Sequence, residues 1–303
     1  MARNGRARTG VSWPGGSAAI EPTLAGVLER AEDAGIHSIW PMDHFFQIPA
    51  AGEGPDAPML EGWATIAWAA GRTRTLQLGT LVTGVHYRHP GLLAKFATTL
   101  DVLSGGRAWL GIGAGWNEEE SLGLGVPFPP LAERFERLEE TLQIMRQMFD
   151  GDTDAFVGKH YQLDRPLNVP APVRRPPILI GGAGEKKTLR LVARYADACN
   201  VFEMVDLRHK FGVLRRHCED AGRSYDAIAK TTTGRLGDDR DLSTVTARFA
   251  ALADLGVDLA IVDLPDAQDP AVFDFLGKLV RELEPLGRPA PATLRGPQEP
   301  REG

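Results

Sequence analysis

A glycine-rich stretch at Gly181–Gly184 carries the clearest chemical signal in this sequence. It follows the apolar run Pro177–Ile180 and precedes a helical pattern over Glu185–Asp197. Glycines let the backbone approach a ligand closely, and the N–H groups at the start of a helix attract an anion. The stretch therefore predicts a phosphate-binding turn, with a tight turn that binds no ligand as the alternative.

Two common nucleotide motifs are excluded for this stretch. A P-loop requires Gly-Lys-Ser/Thr after its first glycine, and a Rossmann fingerprint requires G-x-G-x-x-G. The sequence Gly-Gly-Ala-Gly matches neither pattern. A glycine turn after a late strand also fits the phosphate sites of TIM barrels, which lie in such loops.

The pair Asp43-His44 is the best acid/base candidate. It follows the strand-like run Ile36–Met42, and histidine titrates near neutral pH, so it can give or take a proton or bond a cofactor oxygen. The alternative is that Asp43 caps a helix and that His44 is a buried, satisfied histidine. A position at the end of a barrel strand favours catalysis, because barrel active sites lie there.

Other reactive residue types have structural explanations. His89 precedes Pro90 at a helix start, which predicts a helix cap. The run Glu118–Glu120 predicts an acidic first helical turn, which the helix dipole favours, in preference to paired catalytic carboxylates. Trp116 follows alternating glycines in a loop, so it is interpreted as a wall for a flat ring. Cys199 is interpreted as a small buried residue.

Strand-like apolar runs alternate with amphipathic helical patterns along the chain. The predicted strands are Ile36–Met42, Leu76–Thr83, Arg107–Gly113, Pro177–Gly182, Ala198–Glu203, Ala229–Gly234 and Leu259–Leu264. The predicted helices are Pro22–Ala34, Pro90–Leu103, Leu131–Phe149, Glu185–Ala196, Leu207–Ala221, Leu242–Leu255 and Pro270–Leu286. This alternation predicts an α/β fold with a parallel sheet.

A (β/α)8 TIM barrel needs one more strand, which must come from Arg6–Trp13. Val11 and Trp13 are the strongly apolar residues there, so this strand is expected to be short and polar, or the start of the chain departs from the usual pattern. An open, doubly wound sheet is the alternative. We favour the barrel, because glycines recur at the C-terminal ends of the predicted strands.

The barrel is predicted as a single domain over residues 1–288. A hairpin formed by Phe156-Val157 and His160–Leu163 is expected in the insertion before strand five. The proline-rich, charged tail over residues 289–303 is expected to be disordered.

Composition narrows the function classes. The 303 residues are 43% hydrophobic and 24% charged, which suits a globular core. A formal net charge of -6 without a basic patch argues against nucleic-acid binding. No apolar run is long enough to span a membrane. Two cysteines without metal spacing indicate the reducing cytoplasm, and no residue set has obvious metal-ligand spacing.

Several segments together resemble the bacterial luciferase-like flavin monooxygenase superfamily, and within it the branch that uses the 8-hydroxy-5-deazaflavin coenzyme F420. The resemblance extends from about Trp13 to Asp263. The matching segments are Ser38–Phe45, Leu78–Gly84, Tyr87–Pro90, Leu103–Trp116, Glu133–Phe135, Leu138–Glu140, Pro177–Gly182 and Thr188–Arg190.

The resemblance implies an oxidoreductase that transfers a hydride between coenzyme F420 and an unidentified small organic substrate. An FMN-dependent monooxygenase is the alternative, and a cofactor-binding barrel with little catalysis is the second alternative. His44 and Asp43 would be catalytic, and a cis peptide between Leu81 and Val82 would lie behind the cofactor ring. The expected cofactor-binding residues are Thr80, Leu81, Val82, Gly113, Gly115, Trp116, Gly181, Gly182, Ala183, Gly184 and Asn200.

One departure from the family pattern concerns the substrate. Related sugar-phosphate dehydrogenases carry a catalytic glutamate in the loop after strand four, where this sequence has Trp116. The same sugar-phosphate reaction is therefore not expected. By analogy with the superfamily, a homodimer is expected, while the substrate and the direction of hydride transfer stay open.

Overall fold

The computed structural model describes residues 6–8, 17–48, 54–237 and 240–284. Parallel strands alternate with helices along the chain. The strands are β1 (Arg6–Arg8), β2 (Ser38–Ile39), β3 (Gln77–Leu78), β4 (Thr83–Gly84), β5 (Leu110–Gly113), β6 (Phe156–Val157), β7 (Gln162–Leu163), β8 (Ile178–Gly181), β9 (Ala198–Phe202), β10 (Ala229–Arg235) and β11 (Leu259–Asp263).

The helices lie around the outside of the sheet. They are α1 (Ile20–Asp33), α2 (Gly62–Ala70), α3 (Pro90–Ser104), α4 (Glu118–Gly123), α5 (Leu131–Phe149), α6 (Thr188–Tyr195), α7 (Leu207–Asp220), α8 (Leu242–Asp254) and α9 (Pro270–Leu283). Among the helices of the described ranges, none combines the length and apolarity needed to cross a bilayer.

The main sheet closes on itself. Its order is β3-β2-β1-β11-β10-β9-β8-β5-β4, and every pair is parallel. Strands β3 and β4 are two halves of one strand, interrupted at residues 79–82. A bridge between Leu78 and Ala108, just before β5, joins β3 to the other end of the sheet. The fold is therefore the predicted TIM barrel, and the open doubly wound alternative is wrong.

The weakly patterned first strand does form. Strand β1 is the polar segment Arg6–Arg8, and it pairs with β2 on one side and with β11 on the other. The short, polar version of strand one is thus confirmed. Val11 and Trp13 lie outside the described residues, as do the predicted tail and the end of the predicted last helix.

Two apolar layers hold the barrel together. Inside the strands, a compact cluster centres on Trp40 and Trp109, whose rings meet edge to face at 5.5 Å. Such a pair stabilises by about 0.5–1.5 kcal/mol beyond its buried area. A larger cluster fills the space between the strands and the helices, with buried residues such as Leu78, Leu138 and Val192.

Helix ends follow the predicted signals. Helix α3 begins with Pro90 after the capping residue His89, whose side chain accepts a hydrogen bond from the amide of Gly91, and it ends at Gly105 with φ of 69°. A left-handed φ at a helix C-terminus suits glycine. The expected hairpin before strand five is also present, as β6 paired with β7.

Some elements differ from the prediction. Helix α2 was not predicted, and the acidic turn predicted at Glu118–Glu120 opens a short helix, α4. Helix α6 begins at Thr188, whereas the prediction placed its start at Glu185. Residues 185–187 form a turn between the glycine stretch and the helix.

Candidate active site

A cavity of about 820 Å³ opens at the C-terminal ends of the barrel strands. Loops and strand ends from around the barrel line it, as expected for a TIM-barrel site. The lining residues are Met42, His44, Ile48, Leu81, Val82, Gly84, Tyr87, Gly113, Ala114, Gly115, Trp116, Leu138, Gly181, Gly182, Ala183, Gly184, Thr188, Asn200, Phe202, Arg235, Asp263 and Pro265. We call this space the mouth cavity.

The floor of the mouth cavity is formed where β3 gives way to β4. The peptide between Leu81 and Val82 is cis, which confirms that prediction. The side chain of Val82 lies over two glycines of neighbouring strands. A Cβ added to Gly113 would come within 3.0 Å of a Val82 methyl, and one added to Gly181 would meet both methyls at 3.0 and 3.1 Å. Because these two residues are glycines, the Val82 side chain can pack between the two strands without a steric clash.

The glycine stretch forms one edge of the cavity. Gly182 has φ of 122°, which is a backbone conformation that side chains disfavour. Its amide donates to the carbonyl of Asn200 at 2.9 Å. A Cβ at Gly184 would lie 2.8 Å from Oγ1 of Thr188, the first residue of α6. Backbone without side chains is thus exposed to the cavity just before a helix N-terminus.

His44 is held at the rim by a buried carboxylate. Its Nδ1 lies 2.6 Å from Oε1 of Glu120, and the Glu120 side chain is completely buried. An ionised carboxylate only accepts hydrogen bonds, so Nδ1 must carry the proton. Nε2 is then the ring nitrogen left for a ligand in the cavity.

Glu120 is bound on both of its oxygens. Tyr87 donates its hydroxyl to Oε1, while the amides of Phe45 and Phe46 donate to Oε2 at 2.8 and 3.1 Å. Burial by itself would raise the pKa of Glu120, but the hydrogen bonds from His44, Tyr87 and Phe45 outweigh it and lower the pKa. Burial and the bond to Glu120 raise the pKa of Tyr87, so it stays a donor.

We call His44, Tyr87 and Glu120 the closed side of the mouth. Trp116 stands beside it, with its ring 5.3 Å from the His44 ring in an edge-on arrangement. The tryptophan is 60% exposed and lines the cavity, as expected for a wall. Its loop is fixed by Arg134, which donates to the carbonyl of Gly115 at 2.7 Å.

Asp43 lies behind the closed side and does not line the cavity. Its carboxylate is fully buried and accepts two bonds from Arg88, at 2.6 and 3.0 Å, and one from the Thr83 hydroxyl. Arg88 also pairs with Glu61. Burial opposes the charge on Arg88, but Asp43 and Glu61 outweigh it and raise the pKa of Arg88. Asp43 is therefore an ion-pair residue, and it caps no helix.

His86 is a second histidine of this region, and it is partly buried. Its Nε2 lies 2.9 Å from the Ser121 hydroxyl, and its ring packs against Phe128 and Tyr87. Burial first, and then the charge of Arg134, lower the pKa of His86 to about 4. The imidazole is neutral at physiological pH and lies outside the cavity lining.

The opposite rim is formed by the ends of β9, β10 and β11. Phe202, Arg235 and Pro265 line it, and we call these residues the open side. Phe202 is 53% exposed. Below them Asn200 donates to the Thr231 hydroxyl at 2.9 Å and accepts from the Thr233 hydroxyl at 3.0 Å. The amide of Asn200 is thus engaged inside the barrel although the residue borders the cavity.

The structure brings together most of the predicted site residues. Eleven of them line the mouth cavity, namely His44, Leu81, Val82, Gly113, Gly115, Trp116, Gly181, Gly182, Ala183, Gly184 and Asn200. Asp43 and Thr80 do not. Thr80 is fully buried and its hydroxyl donates to the carbonyl of Gly111 at 3.3 Å. Its place is within the wall of the barrel.

Glu120 is the residue that the sequence reasoning missed. The acidic first turn of α4 was predicted, and Glu118–Glu120 do open that helix. Within the turn, Glu118 and Glu119 are exposed while Glu120 is buried. The Asn117 side chain, which caps the helix, accepts a hydrogen bond from the Glu120 amide, but this local contact does not reveal that the Glu120 carboxylate is buried.

Other predicted structural residues keep those roles. Cys199 is fully buried, and burial raises its pKa to about 12, so it is not a nucleophile. Glu203 pairs with Arg248 and lies outside the lining. Over the ranges that the structure describes, no three His, Cys, Asp or Glu side chains converge as metal ligands.

The sequence matches the family model of luciferase-like monooxygenases over residues 13–257. Among relatives, it is 32% identical over 223 residues to an F420-dependent glucose-6-phosphate dehydrogenase of Kineococcus radiotolerans, covering 72% of this chain and 64% of that protein. It is 35% identical over 224 residues to the protein of the same name from Amycolatopsis mediterranei, covering 70% of this chain and again 64% of the relative. The chain thus matches slightly less than two thirds of these relatives' length.

Solved structures share the fold at low sequence identity. The F420-dependent tetrahydromethanopterin reductase of Methanopyrus kandleri superimposes with a TM-score of 0.76 at 18% identity, covering 92% of this chain and 99% of that one. A riboflavin lyase with modified FMN gives a TM-score of 0.76 at 15% identity, covering 96% and 95%.

Proposed function

The chain belongs to the luciferase-like monooxygenase family, and we propose that it is an F420-dependent oxidoreductase of the cytoplasm that acts on a small organic substrate. One observation carries the proposal. A histidine with a fixed tautomer, His44, stands at the rim of a cavity with an edge of bare glycine backbone. The match to F420-dependent dehydrogenases supports the deazaflavin over FMN.

The residues of the mouth cavity fit such a cofactor. A cavity of about 820 Å³ has room for a tricyclic ring and a substrate. The glycine stretch Gly181–Gly184, before the N-terminus of α6, would hold the phosphate, since backbone N–H groups can approach it there. Leu81 and Val82 would support the ring from below, and Trp116 would flank it.

The bound deazaflavin would supply hydride transfer at its central ring. The chain accepts the proton. Nε2 of His44 would take the proton that a substrate hydroxyl releases when its carbon loses hydride, and would return it in the reverse direction. Glu120 stabilises the resulting imidazolium through Nδ1, and Tyr87 with the two backbone amides keeps Glu120 ionised.

The substrate of the sugar-phosphate relatives is not proposed for this chain. The loop after β5 carries Trp116, a neutral aromatic residue, where the family resemblance implies a catalytic glutamate for the sugar-phosphate reaction. A phosphate dianion is usually bound by several cationic side chains, and among the described lining residues Arg235 is the one Lys or Arg. The chemistry would therefore rest on His44 alone.

A homodimer is proposed through the outer face of α3. Leu92, Phe96 and Leu103 follow one another on that face and are exposed. Exposed apolar patches of this kind mark association sites. Light scattering should give the mass of two chains, and Phe96→Glu should give that of one. A monomeric wild type would refute this part. Cytoplasmic residence agrees with the free, buried Cys199 and Cys218.

The test of the proposed function is cofactor titration followed by fluorescence. Purified protein is titrated separately with coenzyme F420 and with FMN. Micromolar binding of F420 and weaker binding of FMN are expected. Binding of FMN alone would establish the monooxygenase alternative. Binding of F420 without turnover of any donor or acceptor would indicate a cofactor-binding barrel with little catalysis.

A further inference from the structure

Arg235 is the last residue of β10 and faces the inside of the barrel mouth. In the strand register, Thr233 is opposite Phe202 and Arg235 is opposite Asp263. Side chains alternate along a strand, so Arg235 lies above the buried Thr233 on the interior face. The residue accordingly lines the mouth cavity, together with Phe202 and Pro265.

The side chain of Arg235 has no ion pair within the part of the chain that the structure describes. The nearest carboxylates are engaged elsewhere. Glu203 is held by Arg248, and Asp263 has an interaction of its own. Arg248 also donates to the carbonyl of Arg235 at 2.9 Å. The backbone of Arg235 is thus fixed, and its side chain borders the cavity without an ion pair to a described residue.

We propose that Arg235 binds a carboxylate of the substrate, so that the substrate is an apolar molecule with one acidic group. A planar guanidinium matches a carboxylate with two parallel hydrogen bonds. Phe202 and Pro265 give this side of the lining an apolar surface, and the neighbouring Asp263 has an interaction of its own. The inference rests on the proposed function, since it assigns the substrate half of that same site.

A second source of the same chemistry is the cofactor. Coenzyme F420 carries carboxylates on its side chain, beyond the phosphate. The glycine stretch follows β8, and β9 with Phe202 stands between it and Arg235. Arg235 is thus two strands away from the proposed phosphate position, while the apolar Phe202 and Pro265 line the cavity on its own side. The experiment must still distinguish the two sources.

The experiment measures carboxylate preference by calorimetry. Protein saturated with F420 is titrated with phenylpropionate and octanoate, and with the alcohols of the same two skeletons. Wild type, Arg235→Gln, Arg235→Lys and the control Arg216→Gln are compared. Arg216 is exposed on α7, outside the cavity lining, so its replacement changes the net charge equally. Thermal melting confirms that each variant is folded.

Wild type and Arg216→Gln should bind the acids about tenfold more tightly than the alcohols. Arg235→Gln should abolish this preference, and Arg235→Lys should restore part of it. Equal binding of acid and alcohol by wild type, failure of both acids to bind, or a preference retained in Arg235→Gln overturns the inference.

The affinity for F420 distinguishes a substrate carboxylate from a cofactor carboxylate. It also distinguishes failure of the Arg235 inference from failure of the proposed function. Arg235→Gln should bind F420 as wild type does. If it weakens F420 but leaves the affinity for the tail-free deazaflavin riboside unchanged, Arg235 serves the cofactor and the substrate assignment is wrong. If wild type binds no F420 at all, the proposed function fails. The acid and alcohol titrations on the unloaded protein then still decide whether Arg235 selects carboxylates.

Discussion

The two sides of the mouth differ in how firmly their side chains are held. On the closed side, His44 and Tyr87 both bond to Glu120, which two backbone amides also bind. On the open side, Phe202 is half exposed and the Arg235 guanidinium has no ion-pair partner among the described residues. Groups that perform chemistry need fixed geometry, whereas groups that recognise a ligand can be completed by that ligand.

This contrast predicts where a substitution acts. A change on the closed side should lower turnover, because it disturbs a proton-transfer geometry that is complete before the ligand arrives. A change on the open side should alter affinity and selectivity. The closed-side effects are also the larger ones.

Removal of the histidine should have the largest effect. His44→Ala is expected to lower turnover about 10²–10⁴-fold, the range for a lost general acid or base, with a smaller change in cofactor affinity. Near-normal turnover would make His44 structural and leave the closed side without its assigned role.

Weakening the support of His44 should cost less than removing it. Glu120→Gln keeps the shape of the side chain but not its charge, so the imidazolium loses its partner. Turnover should fall about 10–10²-fold. Glu119→Gln, on the exposed face of the same turn, is the control and should leave turnover unchanged. Equal loss in both variants would point to helix α4 and not to the ion pair.

A substitution in the glycine stretch tests whether this stretch, and neither the closed nor the open side, binds the cofactor phosphate. Gly182→Ala should weaken F420 binding by about tenfold, roughly 1.4 kcal/mol, because a side chain there strains the backbone beside the phosphate. Gly256→Ala is a matched control with φ of 91° and open space around it. It should carry a comparable backbone cost with unchanged affinity. Unchanged F420 affinity in Gly182→Ala, with a normal melting curve, would remove the glycine stretch from the site.

His86 gives the smallest expected effect, on stability. Its pKa is about 4 in the folded chain against 6.5 ordinarily, so the unfolded chain binds more protons between these values. Stability should therefore fall by about 1–2 kcal/mol as pH drops from roughly 6.5 to 4, after allowing for the partial exposure of the ring.

The matched variants for that prediction are His86→Asn and His209→Asn. Denaturant melts across this pH range should be flatter for His86→Asn than for wild type. His209 is exposed on α7, and its replacement should leave the slope as it is. A wild type whose stability does not change over this range would contradict the low pKa of His86.

Local pattern predicted most of the fold. Strand and helix positions followed from apolar periodicity, and the ends of α3 followed from Pro90 and Gly105. Apolar periodicity did not predict the elements whose residues are polar. Strand β1 is Arg6–Arg8, a polar segment that forms through its neighbours β2 and β11 and not through its own hydrophobicity. Tertiary pairing of this kind leaves no local signal.

The glycine stretch was predicted from the close backbone approach that glycine allows, and His44 from its position after a strand. The family resemblance implied the cis peptide between Leu81 and Val82. These three features were anticipated from the sequence. Glu120 was not, since its partners His44 and Tyr87 lie far from it in sequence. Thr80 was predicted to contact the cofactor because it belongs to the matching motif. Its motif position was right, but its side chain points into the wall of the barrel.

The packing of Val82 over Gly113 and Gly181 makes the depth of the mouth cavity independent of its width. Because neither glycine contributes a side chain, the height of the floor depends on the size of one residue. A smaller residue at position 82 would leave a hollow under any ring placed there, and a larger one would press on two backbone strands at once. A substitution in one strand can therefore change the depth of the mouth cavity, whereas substitutions in the loops of the open side can change its width. The two dimensions can vary independently.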